Sequence, residues 1–455
     1  MRNRNLVVSG SRLAEHFQAA SATREARSDR DAARDLAALV GASDDDFHVS
    51  DRIATESTSR SPSIPLTDLE LESLMMRLEA AVQLLDDVDE TPGVFATTEN
   101  RYAALIQSAL AERAAKENRV GPAAARSREA KFDEHDIRWA LSLLTWIGQL
   151  KPHDWKPLPQ QPESCEGDLR FALMGDWGTG LYGAPQCAAS IAEMGGFDYV
   201  VHLGDVYYSG TKNEIRSNFL RTWPRVAGSR SRACNGNHEM YSGGYGYFDL
   251  VLPHFEQSSS CFAVQNRDWL IVGLDSAYDD HDLANHQNAW LKRLVDAASD
   301  RKLVVFTHHQ PFSHFDGGGE KLVEKLLPLL RAQRIAAWYW GHEHRCVIYD
   351  RHPRWKFFGR CIGHSGYPYF RKPSLPFRRL TDPPPISHSF WRELPFNRQT
   401  NTPHAILLDG PNPDLGRQAA KYGPHGYVTL EFEGPTLTER YFLANGEQLT
   451  TKRIA

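Results

Sequence analysis

Short apolar runs in the second half of this chain repeatedly stop at a polar, glycine-bearing cluster, and that pattern narrows the folds open to it more than any other feature. The runs are Leu169–Met174, Tyr199–Leu203, Trp269–Leu274, Leu303–Phe306 and Ala336–Trp340. Between several of them lie stretches of helical periodicity, Ala184–Met194, His286–Ala298 and Glu320–Arg331. Strands of four to six apolar residues alternating with helices predict an α/β sheet whose strands are buried on both faces. Such sheets place ligand sites at the carboxyl ends of their strands. The tail from Tyr427 to Ala444 alternates polar and apolar residues, as antiparallel strands do. No internal repeat of fixed period is apparent.

Upstream the character changes. Residues 1–63 are rich in Ala, Ser, Asp and Arg and close on Ser61-Pro62-Ser63, which reads as a mobile segment ending in a linker. Residues 64–151 read as helical. Thr67 and Glu70 have capping-box spacing ahead of Leu71, Leu74, Met75, Leu78, Val82 and Leu85, and a second helix is expected over about 98–116. A third starts near Asp133 and carries Ile137, Leu141, Leu144 and Ile147 at helical steps. These faces suit packing against other helices or a protein partner. Residues 152–167, with Pro152, Pro157, Pro159 and Pro162, read as a linker into a domain spanning 168–455.

At 455 residues, 41% hydrophobic and 24% charged, the chain has the composition of a soluble globular protein of more than one unit. Its net charge of −5 offers no global attraction to nucleic acid or anionic lipid. The start, Met1-Arg2-Asn3-Arg4-Asn5-Leu6-Val7-Val8, is broken early by Glu15, His16 and Gln18. It predicts neither a signal peptide nor a membrane span, and the cytoplasm is the expected compartment. Cys165, Cys187, Cys234, Cys261, Cys346 and Cys361 are scattered without CxxC spacing, as idle thiols would be.

Five clusters carry the chemistry: Gly175-Asp176-Trp177-Gly178, Gly204-Asp205-Val206-Tyr207-Tyr208, Gly236-Asn237-His238-Glu239, Thr307-His308-His309 and Gly341-His342-Glu343-His344. Taken singly, a Gly-Asp after a strand is more often a turn or a helix cap than a ligand. Taken together and in this order, they supply carboxylate, amide, phenol and imidazole groups at the ends of successive strands. Hydrolysis of a phosphate ester needs a nucleophile on one side of phosphorus and charge neutralisation on the other, and two cations roughly 3.5–4 Å apart supply both. Oxygen and nitrogen donors without a thiolate suit iron, manganese or zinc in a reactive centre and argue against a structural zinc site.

In this order the clusters resemble the calcineurin-like metallophosphoesterase superfamily over about residues 168–370. Gly175-Asp176-Trp177-Gly178 with Gly204-Asp205-Val206-Tyr207-Tyr208 resembles its purple acid phosphatase branch. The resemblance implies a four-layer α/β/β/α sandwich behind the helical N-terminal region. It also implies two metal ions, Fe(III) plus a divalent Fe, Zn or Mn, and attack of a metal-bound hydroxide on phosphorus. One site would use Asp176, Asp205, Tyr208 and His344, and the other Asp205 as bridge with Asn237, His308 and His342. His238 would orient the phosphate or protonate the leaving oxygen. His309-Gln310-Pro311 also fits the family's His-x-Pro, so His309 competes with His308. Gln287 and Trp290 recur in such folds as structural residues. His364 and the mixed aromatic and basic segment 367–379 are further candidates for the pocket, with a plain surface loop as the alternative for each.

The substrate class implied is a small phosphate monoester. A phosphodiester or nucleotide would suit the same centre. From another class, the domain would be a non-catalytic scaffold recruiting a partner through the helices, but such scaffolds lose ligands and here all seven positions hold usable atoms. Two features depart from purple acid phosphatases: the absence of an export signal and the helical zone ahead of the catalytic core.

Overall fold

The computed structural model describes residues 151–372 and 391–454, together with Arg101, Ala104, Leu105, Gln107 and Ser108, which are helical. These five fall within the helix expected over 98–116. The other readings upstream of residue 151 lie outside the described residues.

Two sheets face each other. The first orders its strands β1 (Glu163–Ser164), β5 (Phe262–Gln265), β6 (Trp269–Gly273), β7 (Lys302–Phe306), β8 (Ile335–Trp340), β10 (Phe358–Ile362), β9 (Cys346–Arg351), β12 (Ala405–Leu408) and β11 (Trp391–Leu394). The second runs β15 (Gln448–Ile454), β14 (Thr436–Leu443), β13 (Gly426–Glu433), β2 (Leu169–Met174), β3 (Tyr199–His202) and β4 (Arg230–Ala233). Strands β2, β3 and β4 pair in parallel, as do β6, β7, β8 and β10. Crossover helices therefore have to cover the outer faces.

The apolar periodicities explain the layers. Leu169, Phe171, Leu173, Tyr199 and Val201 of one sheet meet Val264, Ile271, Val304, Phe306 and Tyr339 of the other in a single buried cluster. Alternate residues of the same strands point outward. Val272, Val305 and Trp338 pack under Trp290, Leu291 and Leu294 of one helix (Gln287–Ala297) and Leu322, Leu326 and Leu330 of another (Glu320–Arg331). Ala172, Met174 and Val200 pack under Ala184, Cys187 and Ile191 of a third (Ala184–Met194). The result is the α/β/β/α sandwich, closed by the expected antiparallel hairpin of β13 and β14.

Two parts were less legible. Strands β9 to β12 were not read from the sequence. Residues 152–167, expected to link, lie against the domain: the Trp290 indole donates to the Pro159 carbonyl at 2.7 Å, and Glu163–Ser164 pairs with β5. All six cysteines are free thiols, and no helix among the described residues is long and apolar enough to cross a membrane.

One ion pair pins the two sheets together. Arg360 on β10, 2% exposed, donates from Nε to both carboxylate oxygens of Glu439 on β14, 0% exposed, at 2.9 Å each. Tyr339 and Tyr441 hydroxyls donate to the same carboxylate at 2.6 and 3.1 Å. Removing one partner strands a buried charge, whereas replacing both with apolar side chains does not. Glu439→Leu is expected to cost about 3–5 kcal/mol in urea unfolding. The double substitution Arg360→Met with Glu439→Leu should recover most of that loss.

Candidate metal centre

The polar clusters all sit at the carboxyl ends of parallel strands, and the sandwich brings the ends of both sheets together. Asp176 follows β2, Asp205 and Tyr207 follow β3, and Asn237 and His238 begin a short helix (Asn237–Tyr241) after β4. From the other sheet, His308 follows β7, and His342 and His344 follow β8. Backbone bonds lace these ends together: Asp176 N–H to Gly204 O at 3.0 Å, Gly341 N–H to His308 O at 3.0 Å, and Ser365 N–H to Gly175 O at 3.1 Å. The last joins the two sheets. Asp176, Asp205, His342 and His344 all adopt left-handed backbone, with φ of 53°, 77°, 67° and 52°. Such conformations cost roughly 1–3 kcal/mol each and persist where surrounding structure imposes them, commonly at functional sites.

The side chains gather in two groups that share Asp205. In the first, the Tyr207 hydroxyl lies 2.8 Å from Asp176 Oδ1, 3.2 Å from Asp205 Oδ2 and 2.9 Å from His344 Nε2. Asp176 Oδ2 is buried without a hydrogen-bond partner. In the second, Asn237 Oδ1 lies 2.8 Å from His308 Nε2 and 3.1 Å from His342 Nδ1, and His308 Nε2 is 3.3 Å from Asp205 Oδ1. Asp205 thus turns one oxygen to each group.

The second group tests whether a cation fits. His308 Nδ1 lies 2.9 Å from the Leu203 carbonyl, which only accepts, so Nδ1 carries a proton and Nε2 is the nitrogen turned to Asn237 and Asp205. The Asn237 amide nitrogen donates to the Tyr241 hydroxyl at 2.7 Å, which turns its oxygen inward. His308 Nε2 therefore faces the oxygens of Asn237 and Asp205 at contact distance. With Nε2 unprotonated, these atoms are a converging set of nitrogen and oxygen donors, which fits a cation. Asp176, Asp205 and His344 likewise offer ligand atoms within 4.8 Å of one another, as do Asp205, His308 and His342.

The charges agree. Burial, then the neighbouring Asp205 charge, hold the Asp176 carboxyl well above the usual carboxylate range. Burial also works against ionised Asp205, but the His308 and His238 imidazoles outweigh it and hold that carboxyl well below its usual range. Glu239, buried beside them, is pushed up by burial and by Asp205. Burial depresses His238 and His344. The ion pairs reaching Asp176 and Asp205 are all to histidines, His344, His238 and His308.

Of the residues singled out from sequence, Asp176, Asp205, Asn237, His308, His342 and His344 converge here, and His238 lies alongside with Nε2 3.8 Å from Asp205 Oδ2. Tyr208 is the exception. The hydroxyl set among Asp176, Asp205 and His344 belongs to its neighbour Tyr207, while Tyr208 presents its carbonyl to His238 Nδ1. Between the adjacent histidines, His308 enters the second group, and His309 turns away to the Ser276 hydroxyl at 3.0 Å. Gln287 bonds both backbone groups of Asp275, a structural role.

His364 is buried and held by burial to about 3, with His425 and Gly426 packed against it. Tyr367 packs at a tilt against His344 and Tyr207, at 4.3 and 4.6 Å between ring centroids. Arg371 donates to the carbonyls of Asp409 and Ala420, and residues 373–379 lie outside the described residues.

Three supporting residues went unread. Tyr207 was passed over for its neighbour. Glu239 accepts the Val206 N–H at 3.3 Å, and its place directly after Gly236-Asn237-His238 was the available signal. Glu214 accepts the N–H groups of Tyr208, Ser209 and Thr211, and the Ser108 hydroxyl, in a capping box with Thr211. That Thr-x-x-Glu spacing was also visible in the sequence.

With this geometry in hand, comparison with known proteins is informative. Residues 169–346 match the family model described as Calcineurin-like phosphoesterase. Over 218 residues, 39% of this chain, the chain is 24% identical to tartrate-resistant acid phosphatase type 5 of Sus scrofa, covering 64% of that protein. Over 229 residues, 41% of this chain, it is 24% identical to the Homo sapiens protein of the same name, covering 70% of it. Among solved structures, a purple acid phosphatase from yellow lupin, Lupinus luteus, aligns with TM-score 0.45 and 15% identity, over 66% of this chain and 55% of that one. The chain thus spans just under two thirds of the pig protein's length.

At Gly236 a Cβ would fall 2.2 Å from Asp205 Oδ1 and 2.4 Å from Asp205 N. Gly236→Ala is expected to displace the shared carboxylate and weaken metal retention roughly 10–100-fold, the range seen when a ligand loses its support. Competition with a chelator measures it.

Proposed function

We propose that the calcineurin-like phosphoesterase domain carried by residues 169–346 hydrolyses small phosphate monoesters at a two-cation centre of Fe(III) and a divalent Fe, Zn or Mn ion. The observation carrying this reading is the pair of inward-facing acceptor groups that share Asp205. Asp176, Asp205, Tyr207 and His344 would hold one ion, and Asp205, Asn237, His308 and His342 the other. A cation pair bound there supplies charge neutralisation on the phosphoryl oxygens and a water acidified for attack.

The chain's own residues do the rest. Asp205, fixed by the His238 N–H at 3.1 Å, keeps one oxygen on each side of the centre. His238 Nδ1 donates to the Tyr208 carbonyl, which leaves Nε2 beside Asp205 to hold or move a proton at the leaving oxygen. Tyr207 and Tyr367 wall the first group with rings packed at a tilt, 4.6 Å between centroids. The preference for a monoester draws on the relatives, whose names make them acid phosphatases. A diester-cleaving centre would use the same donors, and only substrate comparison separates the two.

On the metal-loaded chain, p-nitrophenyl phosphate should be hydrolysed faster than its bis-aryl diester, and His238→Ala should lower kcat by about 10²–10⁴-fold without loss of metal. Faster diester cleavage would overturn the monoester reading, and no turnover on either ester would overturn the enzyme reading. With iron loaded, a visible absorption band lost in Tyr207→Phe and kept in Tyr208→Phe would support Tyr207 as the phenolate donor. The reverse result assigns that role to Tyr208.

A further inference from the structure

Beside the second group lies a third cluster that the phosphoesterase reading leaves unused. It is built from three loops. His281 and Asp280 come from the segment after β6, His309 from the end of β7, and Asp316 from the glycine-rich stretch Asp316-Gly317-Gly318-Gly319 ahead of the helix Glu320–Arg331. Ring nitrogens of His281, His309 and His342 lie within 4.8 Å of one another. The rings of His281 and His309 have centroids 3.8 Å apart, and those of His309 and His342 are 4.6 Å apart.

The donors point inward. His309 is 0% exposed; its Nδ1 is anchored on the Ser276 hydroxyl at 3.0 Å, and its Nε2 is buried without a hydrogen-bond partner. That Nε2 faces Asp280 Oδ1 at 3.5 Å, and the same oxygen lies 3.1 Å from His281 Nδ1. Metal-binding imidazoles are typically oriented in this way, one nitrogen fixed by a second-shell oxygen and the other turned to the ion. On the dinuclear side, His342 turns Nδ1 to Asn237 and Nε2 to Asp316 Oδ2 at 3.4 Å, and so stands between the two clusters.

The backbone is shaped for the arrangement. His281 adopts φ 57°, and Gly318, at φ 89°, passes so close that a Cβ there would meet His281 Cδ2 at 2.6 Å. The His281 imidazole therefore occupies room that only glycine leaves. The Asp280 side chain is 75% exposed, which opens the cluster to ions from solvent.

We propose that His281, His309 and Asp280 bind a third divalent cation of the zinc class, with Asp316 and His342 closing the site toward the dinuclear centre. Two imidazoles and a carboxylate, with a fourth position left to water, are the donor set zinc takes in three-ligand sites. The absence of sulfur excludes a preference for soft ions. His309 thereby has a role of its own beside the His308 it competes with in sequence.

The test is metal stoichiometry. The full-length chain, stripped with chelator and dialysed against Zn²⁺ alone, is analysed for metal per chain, with Co²⁺ as a spectroscopic substitute. Wild type should retain three ions and His281→Ala two, with the cobalt absorption of a four-coordinate site lost in the variant. Asp280→Asn, at a solvent-exposed position that folding tolerates, should weaken the third ion roughly 10–100-fold. Two ions in wild type and in both variants would overturn the proposal. So would loss of all three ions in a folded His281→Ala, since His281 would then belong to the dinuclear centre. One ion retained in Asp205→Asn and lost in the double variant Asp205→Asn with His281→Ala would uphold this site even if the dinuclear centre failed.

Discussion

Two carboxylates buried side by side set the terms for this fold. Asp176 and Asp205 are shielded from water, and like charges in a medium of low dielectric constant repel far more strongly than in solution. The protein answers by surrounding them with imidazoles whose outer nitrogens are tied down. Leu203 O holds His308, and Tyr208 O holds His238, so each turns its inner nitrogen toward the carboxylates. This arrangement is costly when bare and favourable around cations, which couples metal binding to the stability of the loops that form it. The left-handed backbone at four of the donors belongs to the same account: the positions serve the ligand geometry and not local conformational preference.

The sandwich explains how such a cluster is held in place. Parallel strands in both sheets end at one edge of the molecule, and each donor sits two to five residues past the strand that delivers it, on a short loop or the first turn of a short helix between packed elements. Lateral slippage of one sheet over the other would pull Asp176 and Asp205 away from His308 and His342. The buried Arg360–Glu439 pair, with hydroxyls of Tyr339 and Tyr441 on the same carboxylate, opposes that slippage from within the interface. A buried ion pair adds little net stability over apolar packing, but it fixes register.

Much of this was legible in the sequence because the strands are buried on both faces. Continuous apolar runs mark β2, β3, β6, β7 and β8 to within a residue or so, and six of the seven residues expected from the polar clusters behind them gather in the two groups. What remained hidden follows from direction more than identity. Asp205-Val206-Tyr207-Tyr208 fixes which residues are near the centre, but the path of the loop decides which phenol enters it, and here the Glu214 carboxylate holds the N–H groups of Tyr208 and Ser209. Strands β9 to β12 escaped because their apolar stretches are short, with Arg360 inside β10 and Arg392 and Glu393 inside β11. The proline-rich segment read as a tether because proline marks loops, whether or not the loop is docked.

The adjacent histidines after β7 illustrate the same limit and resolve it. Successive residues leaving a strand point to opposite sides, so His308 and His309 cannot both serve one ion from the same direction. His308 turns toward Asp205, and His309 toward His281 and Asp280. His342, after the neighbouring strand β8, has one ring nitrogen on each side of that divide. A cation bound beyond His309 would therefore act on the two groups around Asp205 through His342, whose ring cannot shift toward Asp316 without leaving Asn237. Coupling of that kind needs no conformational change beyond the tilt of one imidazole, because the imidazole is already the wall the two clusters share.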